Sequence, residues 1–460
     1  MNSFLFEIIS YSIMRKISTL LIAASLLMLP NIVVLGQGAL AFAGNDSLVS
    51  SPVLLWNYTT SNGVWSSPTI DKGVLYVGCE DLVYTGVPYG QGLQYFYAGN
   101  LYALDAATGV KLWNYSIPVG GSSPAVASGI VYVGSFDGNV YAFNATNGIK
   151  LWSYPAGDVV SSSPAVAGGI VYVGLSDGNL VALNGATGEV VFEYYSVGGV
   201  SSPIVKDGVV FASSSEFIPI SRFNSVVFAL NATSGKIIWN FNTNDSAAFP
   251  TVFGNILYVG VGSNVSAFSS IDGSQLWSSN ISKQVSLSPP LLRPTAVLGN
   301  ALFVGSSDGS VYALNTNDGE KLWSRVLGNL SETSPYAVND VTSPAAANGI
   351  VYIALYDGNL YALNATNGEA LWNYAISDRD HAVQSSPVVA NGVIYIGSGT
   401  RNVYAISIAP ASAPPRLEPI YYLIPIGIIV SLVIVSALLY RRHRKTVVAV
   451  EIRKETRASL

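Results

Sequence analysis

The chain predicts an all-β fold: an eight-bladed β-propeller, followed by one C-terminal transmembrane helix. Three observations predict it. One phrase recurs eight times between about residue 52 and residue 408, as in SSPAVASGIVYVGSFDGNVYAFNATNGIKLW at 122–152. A supersecondary unit repeated every 40–50 residues or so is the mark of a propeller. Each copy carries four short apolar runs parted by turn residues. A separate uncharged run at 420–440 stands near the end of the chain, with arginines directly behind it.

The first element is an export signal over residues 1–43. Met14-Arg15-Lys16 leads into an apolar run at 17–35 and then Ala41-Phe42-Ala43. A charged start, an apolar middle and a small-x-small end together predict cleavage before Gly44. An uncleaved anchor helix is the alternative, and it leaves the repeats outside as well.

The propeller follows over residues 44–408. Within the quoted unit, Pro124 opens a short strand at a place where a missing donor costs no ladder bond. Ala127-Ser128-Gly129 turns the chain into Ile130-Val131-Tyr132-Val133-Gly134, whose nearly unbroken apolar character predicts a strand covered on both faces. Asp137-Gly138 predicts a type I′ hairpin. Residues 139–143 form the third strand and Lys150-Leu151-Trp152 the fourth.

Prolines 68, 124, 164, 203, 250, 294, 344 and 387 open the eight units. Their fourth strands carry Trp113, Trp152, Phe192, Trp239, Trp277, Trp323 and Trp372. The eighth unit stops at its third strand, and Leu54-Leu55-Trp56-Asn57-Tyr58 supplies the missing one from the other end of the chain. That pairing closes the ring and hides two edges. Seven blades is the alternative count, since Pro250 and Pro294 fit least well.

Residues 409–419 (APASAPPRLEP) read as a stiff stalk. The 21 residues at 420–440 are long enough to cross a hydrocarbon layer of about 30 Å. Arg441, Arg442, Arg444 and Lys445 then place the short basic tail, 441–460, in the cytoplasm. The predicted address is therefore the cell membrane, single-pass, with the propeller outside.

Ten N-x-S/T sequons agree with that address: Asn45, Asn57, Asn114, Asn144, Asn231, Asn244, Asn264, Asn280, Asn329 and Asn364. The net charge is −5, but the tail holds seven Lys/Arg against two Glu and residues 1–43 hold two against one, so the body carries −11. An acidic body without a basic stripe argues against nucleic acid as a partner. Cys79 is the only cysteine and His381 and His443 the only histidines, which excludes an internal disulfide and a Cys-based metal site.

The pattern G-x-(V/L)-Y-V-G … D-G-x-(V/L)-Y-A-L-(D/N)-A-x-T-G-x-x-L-W resembles the PQQ-like propeller repeat. Residues 101–113 (LYALDAATGVKLW) and 360–372 (LYALNATNGEALW) carry the likeness. That repeat occurs in quinoprotein dehydrogenases, in the eight-bladed lipoprotein of bacterial outer-membrane assembly and in other surface proteins. The resemblance implies that Trp56, Trp113, Trp152, Trp239, Trp277, Trp323 and Trp372 dock between blades. It leaves function open, because one fold hosts many sites. An enzyme of this kind would need PQQ, Ca²⁺ held by carboxylate and amide oxygens, a carboxylate base and often a disulfide. The disulfide cannot form here, and Asp137, Asp177, Asp308 and Asp357 all precede Gly in turns. No catalytic residue, cofactor or metal is therefore expected.

Loop length points to one face. The turns joining strands one to two and three to four are uniformly short. The insertions at 79–98, 213–225, 278–292, 324–342 and 376–384 fall between strands two and three or between blades. Long loops confined to one face mark where a repeat protein meets a partner. Tyr84, Tyr89, Tyr95, Phe96, Tyr97, Phe217, Arg222, Phe223, Arg379 and His381 are the candidate contact residues; for the aromatics, plugging the central channel is the alternative role. Cys79 is expected as a small apolar filler at a strand end. The leading expectation is a membrane-anchored binding or scaffold module for an envelope protein or a glycan. A quinone-dependent dehydrogenase and a ligand-sensing receptor are the alternatives.

Overall fold

A computed structural model describes residues 51–84, 95–218, 222–281, 292–306, 308–327, 341–377 and 383–408. The export signal, stalk, 420–440 segment and tail lie outside them, as do Tyr89, Arg379, His381, Asn45 and Asn329. Of Tyr84, Tyr95, Phe96 and Arg222 only the backbone is described. Among the described residues no helix is long and apolar enough to cross a membrane.

The described strands form eight antiparallel sheets. Blade two shows the plan: Ala125–Ala127, Ile130–Gly134, Asn139–Asn144 and Lys150–Pro155, hydrogen-bonded in that order. First strands of successive blades lie against one another, which puts them at the axis. In blade eight the outer strand is Val53–Thr59 from the start of the repeat region. It pairs with Asn402–Ser407, and Trp56 stands opposite Ala405. Eight apolar clusters fill eight seams; one joins Tyr395, Val403 and Ala405 of blade eight to Leu75, Val77 and Leu104 of blade one. The ring is closed with eight blades.

The repeated phrase explains the seams. In most blades the fourth-strand indole donates to the carbonyl of the next blade's three-to-four turn, as Trp113 Nε1 does to Ala145 O at 2.9 Å. The second-strand tyrosine reaches the same oxygen, with Tyr76 Oη at 3.1 Å. Trp152 and Tyr132 share Gly185 O in the same way, and Trp56 and Tyr395 share Ala106 O. Where Phe192 replaces the indole, Tyr172 still donates to Ala232 O; where Phe211 replaces the tyrosine, Trp239 still donates to Ser270 O. A buried carbonyl stripped of its partner costs about 1–3 kcal/mol, which accounts for one donor being kept at each of these seams.

Two serines precede the proline in five of the eight blades, and the two act differently. The first is buried and ties strand one to strand two of its own blade, as Ser122 Oγ does by accepting from Gly134 N at 2.8 Å. The second links blades around the axis: Ser343, Ser386, Ser67, Ser123 and Ser163 each donate their N–H to the Oγ of the next serine, ending at Ser202. Phe249 stands at the equivalent place in blade five, next to Pro250.

Two details depart from the sequence expectations. Only Gly138 of the Asp137-Gly138 pair has positive φ, at 85°, and Gly138 N donates to Ser135 O. This is a type I turn completed by a left-handed glycine, not a type I′ turn. Both-positive pairs occur instead in the one-to-two turns, as at Ser128 and Gly129 (φ 52° and 76°). The first strand of blade six, Leu292–Leu298, begins two residues before Pro294 and bulges around it.

Candidate functional site

Backbone hydrogen bonds define the two faces of the ring. Phe136 N in the two-to-three turn of blade two donates to Pro118 O in the connector that enters the blade, and Ala156 N in the exit connector donates to Gly138 O. The two-to-three hairpins and the blade-to-blade connectors therefore share one face. On the other, Ala145 N donates to Gly129 O, joining the short turns.

Two structures rise from the hairpin face, and neither is the loop that insertion length suggests. In blade one the second and third strands run on as Val74–Tyr84 and Tyr95–Asp105, with the ladder unbroken from Val74↔Asp105 to Tyr84↔Tyr95. In blade four Val209–Ile218 pairs with Arg222–Asn231 out to Ile218↔Arg222. Aromatic residues stand opposite one another in the blade-four ribbon (Phe217↔Phe223), and such pairs stabilise a ladder. Insertions of this composition lengthen a hairpin rather than loosen it.

Tyr97 is 39% exposed and sets its ring edge-on to Phe136 of blade two, with centroids 4.8 Å apart. Phe217 is 64% exposed, and its ring meets Phe223 at 5.4 Å. Ile218 beside it is exposed as well. Gly199–Val200 pairs with Ser215 and Ser214, stiffening the base of this ribbon. The structure thus brings Tyr97, Phe217 and Phe223 to one face on two separate blades.

The root of the blade-one hairpin holds a polar cluster that sequence reasoning missed. Cys79 lies mid-strand and fully buried, not at a strand end, with Sγ 3.6 Å from Ser61 Oγ. Burial pushes its thiol up, away from the reactive thiolate. Ser61 Oγ also accepts from Asn100 Nδ2 at 2.9 Å. Asp81 accepts from Asn62 Nδ2 at 3.2 Å and pairs with Arg401 of blade eight at 3.5 Å.

Glu80, on the opposite side of the strand, is only 9% exposed, and its Oε2 has no hydrogen-bond partner. Trp65 Nε1 holds its backbone carbonyl at 3.0 Å. Burial pushes the Glu80 carboxyl up to about 7, and the negative charge of Asp81 adds to this. One signal could have exposed the cluster. Where blade two has Ser135-Phe136-Asp137-Gly138, blade one has Cys79-Glu80-Asp81-Leu82.

The quinone and Ca²⁺ site implied by the resemblance does not fit these residues. Glu80 and Asp81 are strand neighbours that point to opposite faces, and Asp81 is already neutralised by Arg401. Among the described residues no three His, Cys, Asp or Glu side chains gather to hold a metal ion.

The sequons have local roles. The side-chain oxygens of Asn144, Asn231 and Asn364 each accept the peptide N–H two residues on, shaping the three-to-four turn. Asn57, Asn114, Asn244 and Asn280 are exposed; Asn264 is half-buried opposite Asn280.

A closed ring of PQQ-like blades with built-out hairpins on one face defines the class. The family described as outer membrane protein assembly factor BamB matches residues 80–219 and 223–455, and the chain belongs to that family. The outer membrane protein assembly factor BamB of Yersinia pestis is 27% identical over 152 residues, 33% of this chain and 35% of that protein. Tetrathionate hydrolase of Acidithiobacillus ferrooxidans is 30% identical over 133 residues, 28% of this chain and 25% of the hydrolase. The chain thus spans about a quarter to a third of the curated relatives it matches. The crystal structure of BamB from Moraxella catarrhalis superposes with a TM-score of 0.58 at 17% identity, covering 79% of this chain and all of that one, a likeness of fold.

Proposed function

We propose that this protein is a non-catalytic scaffold of the cell envelope that meets a protein partner through its hairpin face. One observation carries the reading: two overlong ribbons, in blades one and four, rise from the same face and end in aromatic and aliphatic residues, of which Phe217 and Ile218 are exposed. Large exposed apolar side chains on a rigid support suit a protein interface. They favour a protein over a glycan, because Phe217 and Ile218 stand exposed side by side at the outer end of the described blade-four ladder. Membership in the BamB family supports an envelope setting. The export signal and the 420–440 anchor, read from the sequence, would tether the ring there with its C-terminus inside.

The test uses the tagged full-length chain in cells of its own host. Both ribbons are shortened to Asp-Gly turns like that of blade two, and co-purifying proteins are compared. The reading expects one partner to be lost on shortening while the ring stays folded. An unchanged set of partners would overturn it.

A hydrolytic role is the second reading, and the tetrathionate hydrolase likeness favours it. Incubating the purified chain with tetrathionate separates the two, since a scaffold leaves it unconsumed.

A further inference from the structure

The seam between blades one and two closes on a carboxyl group in a setting unsuited to charge. Glu80 faces its cross-strand partner Gly99 and follows Gly78 on the same side of the strand. Across the seam it meets Gly120, where a Cβ would lie 2.4 Å from Oε1 and 2.7 Å from Oε2. The carboxyl group thus fills the place of a side chain at 120. Its three near neighbours lack side chains and so offer no side-chain donor, and Oε2 is left without a partner.

The surrounding charges do not compensate. On its own strand Asp81 carries the same sign, and the Arg401 guanidinium is taken up by Asp81. The connector at 116–121, the loop at 60–66 and the facing strand at 97–100 contain no titratable group except Tyr97. On blade two the turn after strand two and the exit connector carry Asp137 and Asp158 and no basic residue.

We propose that ionisation of Glu80 unlocks the seam between blades one and two on the hairpin face: the seam is shut when the carboxyl is protonated and opens when it is charged. A carboxylate with one oxygen buried and unpartnered gains by bringing that oxygen to water. Its own strand is fixed by the ladder on one side and by the Trp65 indole on the other. The Gly120-Gly121 connector is the element left to yield. No partner is needed, so the inference stands apart from the scaffold reading.

Hydrogen–deuterium exchange on the full-length chain, corrected for intrinsic rates, tests it from about two pH units below to about two above 7. The expected result is an increase of about tenfold in opening at 78–81 and 117–121 as pH rises through that range, with none at the blade-two to blade-three seam. Glu80→Gln should stay closed throughout. Should that variant fail to fold, Asp81→Asn replaces it: removing the neighbouring negative charge and freeing Arg401 lets the Glu80 carboxyl ionise more readily, so the midpoint should move to lower pH. The same opening profile in wild type and Glu80→Gln, a flat wild-type profile, or an Asp81→Asn midpoint that does not fall would each overturn the proposal.

Discussion

Blades one and two open with the same phrase and finish on the hairpin face in opposite ways. Blade two returns through the tight turn at 135–138, where Ser135 Oγ donates to Pro118 O at 3.1 Å and Ser135 O accepts from Val160 N at 3.0 Å. Blade one carries its ladder on to Tyr84↔Tyr95 and puts Glu80 at the root, with one oxygen unpartnered. The contrast separates two kinds of information in one repeat. Positions that most blades keep, such as the seam indoles and the serine pair, build the ring. Positions where a single blade departs from the phrase are where chemistry or contact has been added.

If that division is right, substitutions in the two blades should separate sharply. The largest effect belongs to the shared positions. Trp152→Ala removes a buried indole and a donor to Gly185 O, and should cost about 3–5 kcal/mol in urea unfolding. Shortening the blade-one ribbon by joining Asp81 to Ala98 through Asp-Gly should leave that stability nearly unchanged.

Next in size is the pH dependence of blade one. Glu80 holds its proton up to about 7 in the fold, against an ordinary 4.5, so the folded state binds more protons than the unfolded chain between those values. Stability is then full in acid and falls as pH rises through that window, by on the order of 2 kcal/mol once solvent screening is allowed for. Glu80→Gln should flatten this slope, and thermal melts across the window read it directly.

Gly120→Ala should cost about 1 kcal/mol, because its methyl group would meet only the Glu80 carboxyl, the movable end of a flexible side chain. Pairing it with Glu80→Ala should return much of that loss, and a double-mutant cycle measures the coupling. The smallest stability effect is expected at Phe217→Ser, within about 0.5 kcal/mol, since that ring is exposed. Partner capture should nevertheless fall.

How much could be read beforehand follows the same line. Ring closure was legible because Trp56 and the truncated eighth unit complement each other, and a strand without in/out alternation at 130–134 could only be sandwiched. The turn type at Asp137-Gly138 was misread because a dipeptide does not reveal which residue takes positive φ; the extra residue in that turn decides it. Insertion length alone does not distinguish a loop from a longer ladder, whereas the facing positions Val83↔Phe96 and Phe217↔Phe223 do. Glu80 escaped notice because its character comes from Gly99 and Gly120, which the chain brings alongside only after folding.

A photo-reactive residue placed at Phe217 on the hairpin face, or at Ile149 on the short-turn face where exposure is 61%, tests the central claim most directly in intact host cells. The account predicts a discrete protein adduct at 217 that disappears when the ribbons are shortened, and none at 149. An adduct at 149 with 217 silent would contradict it.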